Sequence, residues 1–301
     1  MWAGGIVKPA PFTYHRPTTV AEATGLLAEL GDGAKVLAGG QSLVPMLNLR
    51  LAVFDDLVDL GRIADLAGVE RRDGHVWVGA GTTEAAVEHH AEVAAAAPLL
   101  ARATPLIGHR QIRNRGTVGG SLAHADPAAE YPAVALALDA SLEAVSPRGA
   151  RTIAAADFFT GVWDTALAED ELLTGVRFPV WTGRCGFAVH ELARRHGDFA
   201  VAGAAVAVEV GADDRVARAA IALIGMGSTP VRATGAEAAA LGSPVGSPTA
   251  EELGRLAVAD LDDVPSDLHG SAVYRRRITA VLVARAWSDA VAEATAGAPH
   301  G

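Results

Sequence analysis

The segment from Val36 to Arg50, VLAGGQSLVPMLNLR, constrains the fold most strongly, because it joins a strand to a helix through two glycines. The apolar run from Ala34 to Ala38 predicts a buried strand. Gly39 and Gly40 then allow a tight turn, and Ser42 is the expected N-cap of the helix that follows. A strand that runs directly into a helix predicts an α/β unit.

The residues on either side of this segment complete a small subdomain. Thr19 to Glu22 has the pattern of a capping box, and Gly31 is the expected end of the helix that it opens. Leu57 to Leu60 reads as a further short strand. Residues 1–60 are therefore predicted to form an α/β subdomain in which strands alternate with helices.

Residues 61–175 are predicted to form a second subdomain. His75 to Val78 alternates as a strand does, and a Pro-Arg-Gly turn joins the predicted strands Ser141 to Val145 and Thr152 to Ala155. Asp126 followed by Pro127 predicts the start of a helix, with an N-cap and then proline at the first helical position.

The remainder, residues 176–301, is predicted to be a separate α+β domain. Four apolar runs read as successive strands: Leu173 to Phe178, Phe187 to Leu192, Ala200 to Val210 and Ala217 to Ile224. Two helices follow, Thr249 to Leu261 and Ser271 to Thr295, and the tail from Gly297 is expected to fray. Strands first and helices after predict an antiparallel sheet with helices on one face.

Charge and cysteine content exclude several classes of function. The formal net charge of the 301 residues is −10, which disfavours binding to nucleic acid. The single cysteine, Cys185, cannot form an internal disulfide, a CxxC redox pair or a four-cysteine iron–sulfur site. No signal peptide or membrane span is predicted, so we expect a cytoplasmic protein, with peripheral attachment to the inner membrane face as an alternative.

Two glycine pairs are candidate anion sites. Gly39 and Gly40 with Ser42 can turn backbone N–H groups towards a phosphate, although an ordinary strand–helix turn fits equally well. Thr117 to Ser121, TVGGS, offers a hydroxyl and backbone donors in an arginine-rich loop, with two unrelated turns as the alternative. A third glycine segment, Gly79 to Gly81, does not fit a dinucleotide fingerprint, because Glu84 stands where that fingerprint needs glycine or alanine.

Other polar clusters carry weaker signals. His124 and Asp126 do not make a zinc frame, so no metal site is predicted, and no catalytic acid, base or nucleophile is assigned. The polar turn at Gly197, Asp198 and Phe199 is either a simple hairpin connection or a ligand contact at a domain interface.

Taken together, AGGQSLVPMLNLR, TVGGSLAHADPAAEYP and RRHGDFA resemble one family in their order and spacing. It is the FAD-binding medium subunit of the molybdenum hydroxylases, of the aerobic carbon monoxide dehydrogenase and xanthine dehydrogenase type. The resemblance implies an FAD-binding domain of the vanillyl-alcohol-oxidase/PCMH type over residues 1–175. A C-terminal flavoprotein domain of the carbon monoxide dehydrogenase type would then occupy residues 176–301.

The resemblance also implies FAD as cofactor and a set of cofactor-binding residues. The first motif would wrap the diphosphate and the second would hold the ribityl and diphosphate region. Single positions would add contacts to the flavin ring or to other parts of the cofactor, with His190 standing about where some relatives carry lysine. The full set is Val36, Leu37, Ala38, Gly39, Gly40, Gln41, Ser42, Leu43, Ile107, Thr117, Val118, Gly119, Gly120, Ser121, Glu130, Leu173, His190, Asp198 and Phe199. On this placement Gly119→Asp is expected to abolish FAD binding and to leave the fold largely intact.

The implied function is electron transfer within a heterotrimer, assembled as a dimer of heterotrimers. A large subunit would hold the molybdenum cofactor and a small one two [2Fe–2S] clusters. This chain would pass electrons to an acceptor such as a quinone, NAD⁺ or O₂. The substrate stays open among carbon monoxide, N-heteroaromatic compounds, purines and aldehydes. A stand-alone flavin oxidase or dehydrogenase and a cofactor-free scaffold are the alternatives from other classes.

Overall fold

The structure, a computed structural model, describes residues 8–296, so the predicted frayed tail lies outside the described residues. Its first unit is a parallel three-stranded sheet in the order β1-β3-β2. Its elements are β1 (Thr13–His15), α1 (Val20–Leu30), β2 (Ala34–Leu37), α2 (Leu43–Asn48) and β3 (Asp56–Asp59). The predicted N-cap and helix end are confirmed, because the Thr19 side chain accepts from the Glu22 N–H and Gly31 follows the last residue of α1. The reciprocal bond of the predicted capping box is not formed, because the Glu22 carboxylate accepts from the N–H of Thr18.

The second unit contains a five-stranded antiparallel sheet in the order β4-β5-β10-β6-β7, with a small hairpin of β8 and β9 beside it. Its strands are β4 (Val69–Arg72), β5 (His75–Gly79), β6 (Ser141–Ser146), β7 (Gly149–Ala154), β8 (Phe159–Gly161), β9 (Asp164–Thr165) and β10 (Leu172–Pro179). Its helices are α3 (Glu84–Glu88), α4 (Ala91–Ala96), α5 (Pro98–Ala103), α6 (Arg110–Arg113), α7 (Val118–His124), α8 (Glu130–Ala137) and α9 (Ala155–Phe158).

The helix predicted to start at Asp126 and Pro127 begins later, at Glu130, so that prediction is wrong. The Asp126 side chain instead accepts from the Ala128 N–H at 2.9 Å, and its carbonyl oxygen accepts from the Ala129 N–H at 3.0 Å. An aspartate two residues before its backbone donor stabilises a turn, and this local turn competes with helix initiation.

The third unit is an antiparallel sheet in the order β11-β12-β13-β14, with three helices after its strands. Its elements are β11 (Arg184–Ala193), β12 (Ala200–Val210), β13 (Val216–Ile224), β14 (Val231–Arg232), α10 (Thr234–Ala240), α11 (Ala250–Ala257) and α12 (Ala272–Ala296). The predicted α+β arrangement is confirmed: these helices cover one face of the sheet, and the other face packs on α5 and α8.

One predicted strand joins a different sheet from the one expected. The run from Leu173 to Phe178 was predicted as the first strand of the C-terminal sheet, but β10 pairs with β5 and β6. Val176 lies between Val78 and Leu142 in this register, so its side chain is buried among other β-sheet residues of the second unit. The five-stranded sheet of the second unit therefore continues to Pro179, beyond the predicted boundary near residue 175.

A continuous hydrophobic core links the second and third units. It includes Tyr131 from α8, Phe187 from β11 and Ile224 from β13, all of which are buried. Because α8 is buried along its whole length and contacts β12 and β13 of the third unit as well as α5 and α7 of its own, it links the two units. Within residues 8–296, no helix is both long and apolar enough to cross a membrane.

Candidate functional site

The first glycine motif forms the turn between β2 and α2. Gly40 has a φ of +75°, in the left-handed region that favours glycine. The Gln41 side-chain amide donates to the Gly39 carbonyl oxygen at 3.0 Å, and the Val44 N–H donates to the Gly40 carbonyl oxygen. These bonds hold the turn in a defined shape, with residues 36–43 all half-buried.

Backbone donors remain free in this turn. In the described part of the chain, the N–H groups of Gly40, Gln41, Ser42 and Leu43 have no hydrogen-bond acceptor. Half-buried backbone N–H groups without partners favour a ligand rich in acceptor oxygens. We call this group of amides the amide cradle.

The second glycine motif uses its backbone donors differently from the sequence expectation. The Thr117 hydroxyl caps α7 by accepting from the Gly120 N–H at 3.0 Å, and the Ser121 N–H donates to the Thr117 carbonyl oxygen. The N–H groups of Val118 and Gly119 donate to the carbonyl oxygens of Thr82 and Ala80. The second motif therefore does not present these four amides to a ligand.

The glycines of the two motifs allow close approach between their loops. A Cβ on Gly39 would overlap the Arg115 carbonyl oxygen and would lie 2.9 Å from the Gly116 Cα. A Cβ on Gly120 would come 3.4 Å from the Ala38 Cβ. The structure thus brings the two motifs together, and residues larger than glycine would separate them.

Gly119 has a structural role that the sequence did not reveal. It is buried, and a Cβ there would overlap Ala80, whose Cα and carbonyl oxygen would both be 2.8 Å away. The expectation that Gly119→Asp leaves the fold intact is therefore wrong, because a carboxylate would be forced into a packed helix–strand contact. Gly120 and Ser121 are half-buried, so they are more accessible to a ligand than the buried residues Thr117, Val118 and Gly119.

A third segment approaches from the C-terminal unit. A Cβ on Gly197, whose φ is +85°, would lie 2.7 Å from the His109 ring, and the His109 and His196 ring centroids are 5.8 Å apart. The turn between β11 and β12 therefore packs on the loop that follows Ile107. Phe199, in the same turn, leaves 60% of its surface exposed.

Buried carboxyl groups lie at the boundary between the second and third units. Glu130, the first residue of α8, is only 5% exposed, and burial together with the charge of Glu191 raises its pKa to about 8. Burial also raises the pKa of Glu191 to about 7, and its Oε2 has no partner among the described residues. Sequence reasoning missed Glu191, although strand alternation in β11 places it on the same face as Phe187 and Val189.

Two predicted site residues lie apart from the turns described above, one on the opposite face of β11 and one in the core. His190 lies on the opposite face of β11, where its Nε2 is 2.7 Å from Asp289 Oδ2 of α12. It lines a surface pocket of about 570 Å³ between α11 and α12. Leu173 is buried in the hydrophobic core of the second unit. The other predicted residues lie on the two motifs, beside Gly108, at the start of α8 and in the β11–β12 turn.

Comparison with known families assigns both parts of the chain. The family model described as "FAD binding domain in molybdopterin dehydrogenase" matches residues 10–181. The model described as "CO dehydrogenase flavoprotein C-terminal domain" matches residues 187–290.

Similar proteins cover nearly the whole chain. The 6-hydroxypseudooxynicotine dehydrogenase complex subunit alpha of Paenarthrobacter nicotinovorans is 40% identical over 95% of this chain and 96% of its own length. The carbon monoxide dehydrogenase medium chain of Hydrogenophaga pseudoflava is 37% identical over 94% of this chain and 98% of its own. A solved structure of that organism's carbon monoxide dehydrogenase superimposes with a TM-score of 0.92 at 39% identity, covering 95% of this chain and 99% of the other.

The chain belongs to the FAD-binding medium subunits of the molybdenum hydroxylases. Its cofactor is FAD, and it is a subunit of a molybdenum-containing oxidoreductase. The structure fits that cofactor, because unpartnered amides suit the oxygens of a diphosphate and glycines leave room beside them. As in other medium subunits of this family, the fold joins an FAD-binding domain to a C-terminal flavoprotein domain.

Proposed function

We propose that this subunit receives electrons from [2Fe–2S] clusters on a small partner subunit and passes them to an external acceptor. The observation that carries the proposal is the amide cradle within a chain that matches carbon monoxide dehydrogenase medium chains along almost all of its length. When bound, FAD can exchange one or two electrons, so it can join one-electron donors to a two-electron acceptor.

The cysteine content supports a partner as the source of electrons. The chain has one cysteine, Cys185, which is buried, and burial raises the pKa of its thiol to about 12. A single protonated thiol cannot ligate an iron–sulfur cluster. The clusters would therefore be held by the small subunit, and the molybdenum cofactor by a large subunit, in a dimer of heterotrimers.

The chain's own residues would bind and orient the cofactor. The N–H groups of Gly40, Gln41 and Ser42 would donate to the diphosphate, with Gly120 and Ser121 lining the opposite side. Ile107, Asp198 and Phe199 would border the cleft between the two units, close to the buried Glu130. Leu173 and His190 are the least supported contacts, because one is in the core and the other faces α12.

The substrate would be decided by the large subunit. The similar proteins include a 6-hydroxypseudooxynicotine dehydrogenase subunit at 40% identity and a carbon monoxide dehydrogenase chain at 37%. Since chains that serve such different reactions resemble this one to a similar degree, the FAD-binding fold carries little information about the substrate. Carbon monoxide remains the first substrate to test, followed by N-heteroaromatic compounds, purines and aldehydes.

The test is anaerobic reduction of the flavin in the complete complex, purified with whatever subunits accompany this chain. We expect substrate to bleach the visible flavin absorbance of the complex, and quinone, NAD⁺ or O₂ to restore it. The chain by itself should bind FAD but should not be reduced by substrate. Reduction of the isolated chain would instead identify a stand-alone dehydrogenase, and a colourless chain in the purified complex would identify a scaffold.

A further inference from the structure

Glu84 lies directly behind the first glycine motif. It opens α3, and its N–H donates to the Gly116 carbonyl oxygen at 2.9 Å. Its carboxyl group lies against the Gly116 Cα, because a Cβ on that glycine would come 2.6 Å from Glu84 Cδ and 2.7 Å from Oε1. A Cβ on Gly39 would also be 2.9 Å from the Gly116 Cα. Gly116 therefore contacts both the Glu84 carboxyl group and the loop that forms the amide cradle.

The Glu84 carboxyl group has little to stabilise its charge. The residue is 4% exposed, and its Oε2 has no hydrogen-bond partner among residues 8–296. Burial raises its pKa to about 7, and the positive charge of Arg113 offsets part of this effect. A buried carboxylate without a partner is costly, so protonation near neutral pH relieves the cost.

The charged and titratable groups around Glu84 do not supply the missing partner. The Arg113 guanidinium bonds both carboxylate oxygens of Glu88, at 2.8 and 3.1 Å, and the Ile107 carbonyl oxygen at 3.0 Å. From α8, Glu130 and Tyr131 face Glu84, and neither brings positive charge. Glu191 and Asp126 act on Glu130 and add further negative charge to this region.

We propose that Glu84 takes up a proton from solvent when the diphosphate of FAD binds in the amide cradle. The proton bonds to the Glu84 carboxylate, and no other bond forms or breaks. This inference rests on the proposed location of the diphosphate. Two negative groups that both lie near Gly116 repel each other through a poorly solvated region, and a neutral carboxyl group removes that repulsion.

The expected pH dependence follows from linkage. Bound diphosphate raises the pKa of Glu84 further, so the complex holds more protons than the free protein at neutral and slightly alkaline pH. Affinity for FAD is therefore highest when Glu84 is already protonated and falls as pH rises through its free pKa. Between the free and the bound pKa, the Kd for FAD rises by up to about tenfold per pH unit.

The test compares the wild-type apoprotein with Glu84→Gln, which keeps the side-chain shape and removes the titration. FAD binding is followed by flavin fluorescence from about pH 6 to about pH 8.5, a range that spans the raised pKa. We expect the wild-type Kd to rise by about tenfold or more over this range. The Kd of Glu84→Gln should stay constant within about threefold and, at the alkaline end, should be lower than that of wild type.

Glu191→Gln is the matched control, because the pKa of this carboxyl group is also raised into this range and Glu191 is not among the predicted cofactor contacts. The control should retain most of the wild-type pH dependence. The proposal is overturned if Glu84→Gln keeps the wild-type slope, or if the control loses it. Loss of FAD binding by a folded Glu84→Gln protein would also overturn it.

A second measurement does not depend on the variant's stability. Calorimetry of FAD binding to wild type near pH 7.5, in buffers of different ionisation enthalpy, measures proton uptake directly. We expect net uptake of protons, and zero uptake or release would overturn the proposal. If wild type bound no FAD at any pH, the proposed cofactor site would fail instead, so the two failures are distinguishable.

Discussion

At the scale of single residues, Ser42 offers the cleanest test of where the diphosphate lies. Ser42 precedes α2, and its hydroxyl makes no capping bond. Ser42→Asp adds a negative charge at the amide cradle, and it removes no capping bond because the Ser42 hydroxyl makes none. We expect the Kd for FAD to rise at least about tenfold, because the carboxylate repels the diphosphate. The free energy of unfolding of the apoprotein should change by less than about 1 kcal/mol.

Ser42→Asn is the control, since it has a similar size and N-cap preference without the charge. FAD titration and thermal unfolding of the two variants separate cofactor binding from folding. Equal FAD affinity in Ser42→Asp and Ser42→Asn would show that the diphosphate lies elsewhere. Gly119→Asp cannot serve this purpose, because the packing of Gly119 on Ala80 couples any FAD loss to loss of stability.

At the scale of elements, the contact of α12 with β11 depends on Gly186. A Cβ there would overlap the Ala290 carbonyl group and lie 2.9 Å from the Ala294 nitrogen, both of which are backbone atoms of α12. We expect Gly186→Ala to lower the free energy of unfolding by about 1–3 kcal/mol, because neither the strand nor the helix can yield locally.

Gly25→Ala is the matched control in an open position. Gly25 is exposed in α1 and would place its Cβ at least 4 Å from any neighbour, so alanine should stabilise by about 0.5–1 kcal/mol through helix propensity. Chemical denaturation of the apoproteins measures both changes. A neutral Gly186→Ala variant would mean that α12 can move away from β11 at little cost.

At the scale of the whole molecule, the shared core predicts cooperative unfolding of the second and third units. Tyr131, Phe187 and Ile224 belong to one hydrophobic cluster that crosses the boundary between the units. Arg102 of α5 forms a bidentate ion pair with Glu293 of α12, with both N···O distances 2.6 Å, and adds a polar link across the same boundary. If either unit unfolded, the buried apolar face of the other would be exposed to water.

We therefore expect a single thermal transition for these two units in the apoprotein. Circular dichroism reports the backbone, and the fluorescence of the buried Trp181 and Trp287 reports packing on each side of the C-terminal sheet. The two signals should change at the same temperature. Separate transitions would show that the family's two domains fold independently despite their common core.

Much of the fold was predictable from the sequence, because the signals are local, and the residues assigned to the cofactor site stay a prediction. Glycines identify the first motif from a few neighbouring positions, and apolar periodicity identifies β5, β6 and α12. The expected capping bond of Ser42 is not formed, because its backbone is already helical. The helix predicted at Asp126 failed because a turn and a helix cap use the same residue type. The order and spacing of the motifs were sufficient to indicate FAD and the medium-subunit family.

The sequence alone determined that this chain is an FAD-binding medium subunit, with an α/β subdomain near its N-terminus and an antiparallel sheet in its C-terminal domain. Only the tertiary structure decided which side chains from distant segments lie close to one another. Alternation in β11 defines two faces, but packing of α8 and α12 decides that Glu191 faces the FAD-binding domain and His190 does not. Likewise, Glu84 is buried and Gly119 is a packing glycine because distant segments meet there. Such contacts depend on the assembled core, and no local pattern encodes them.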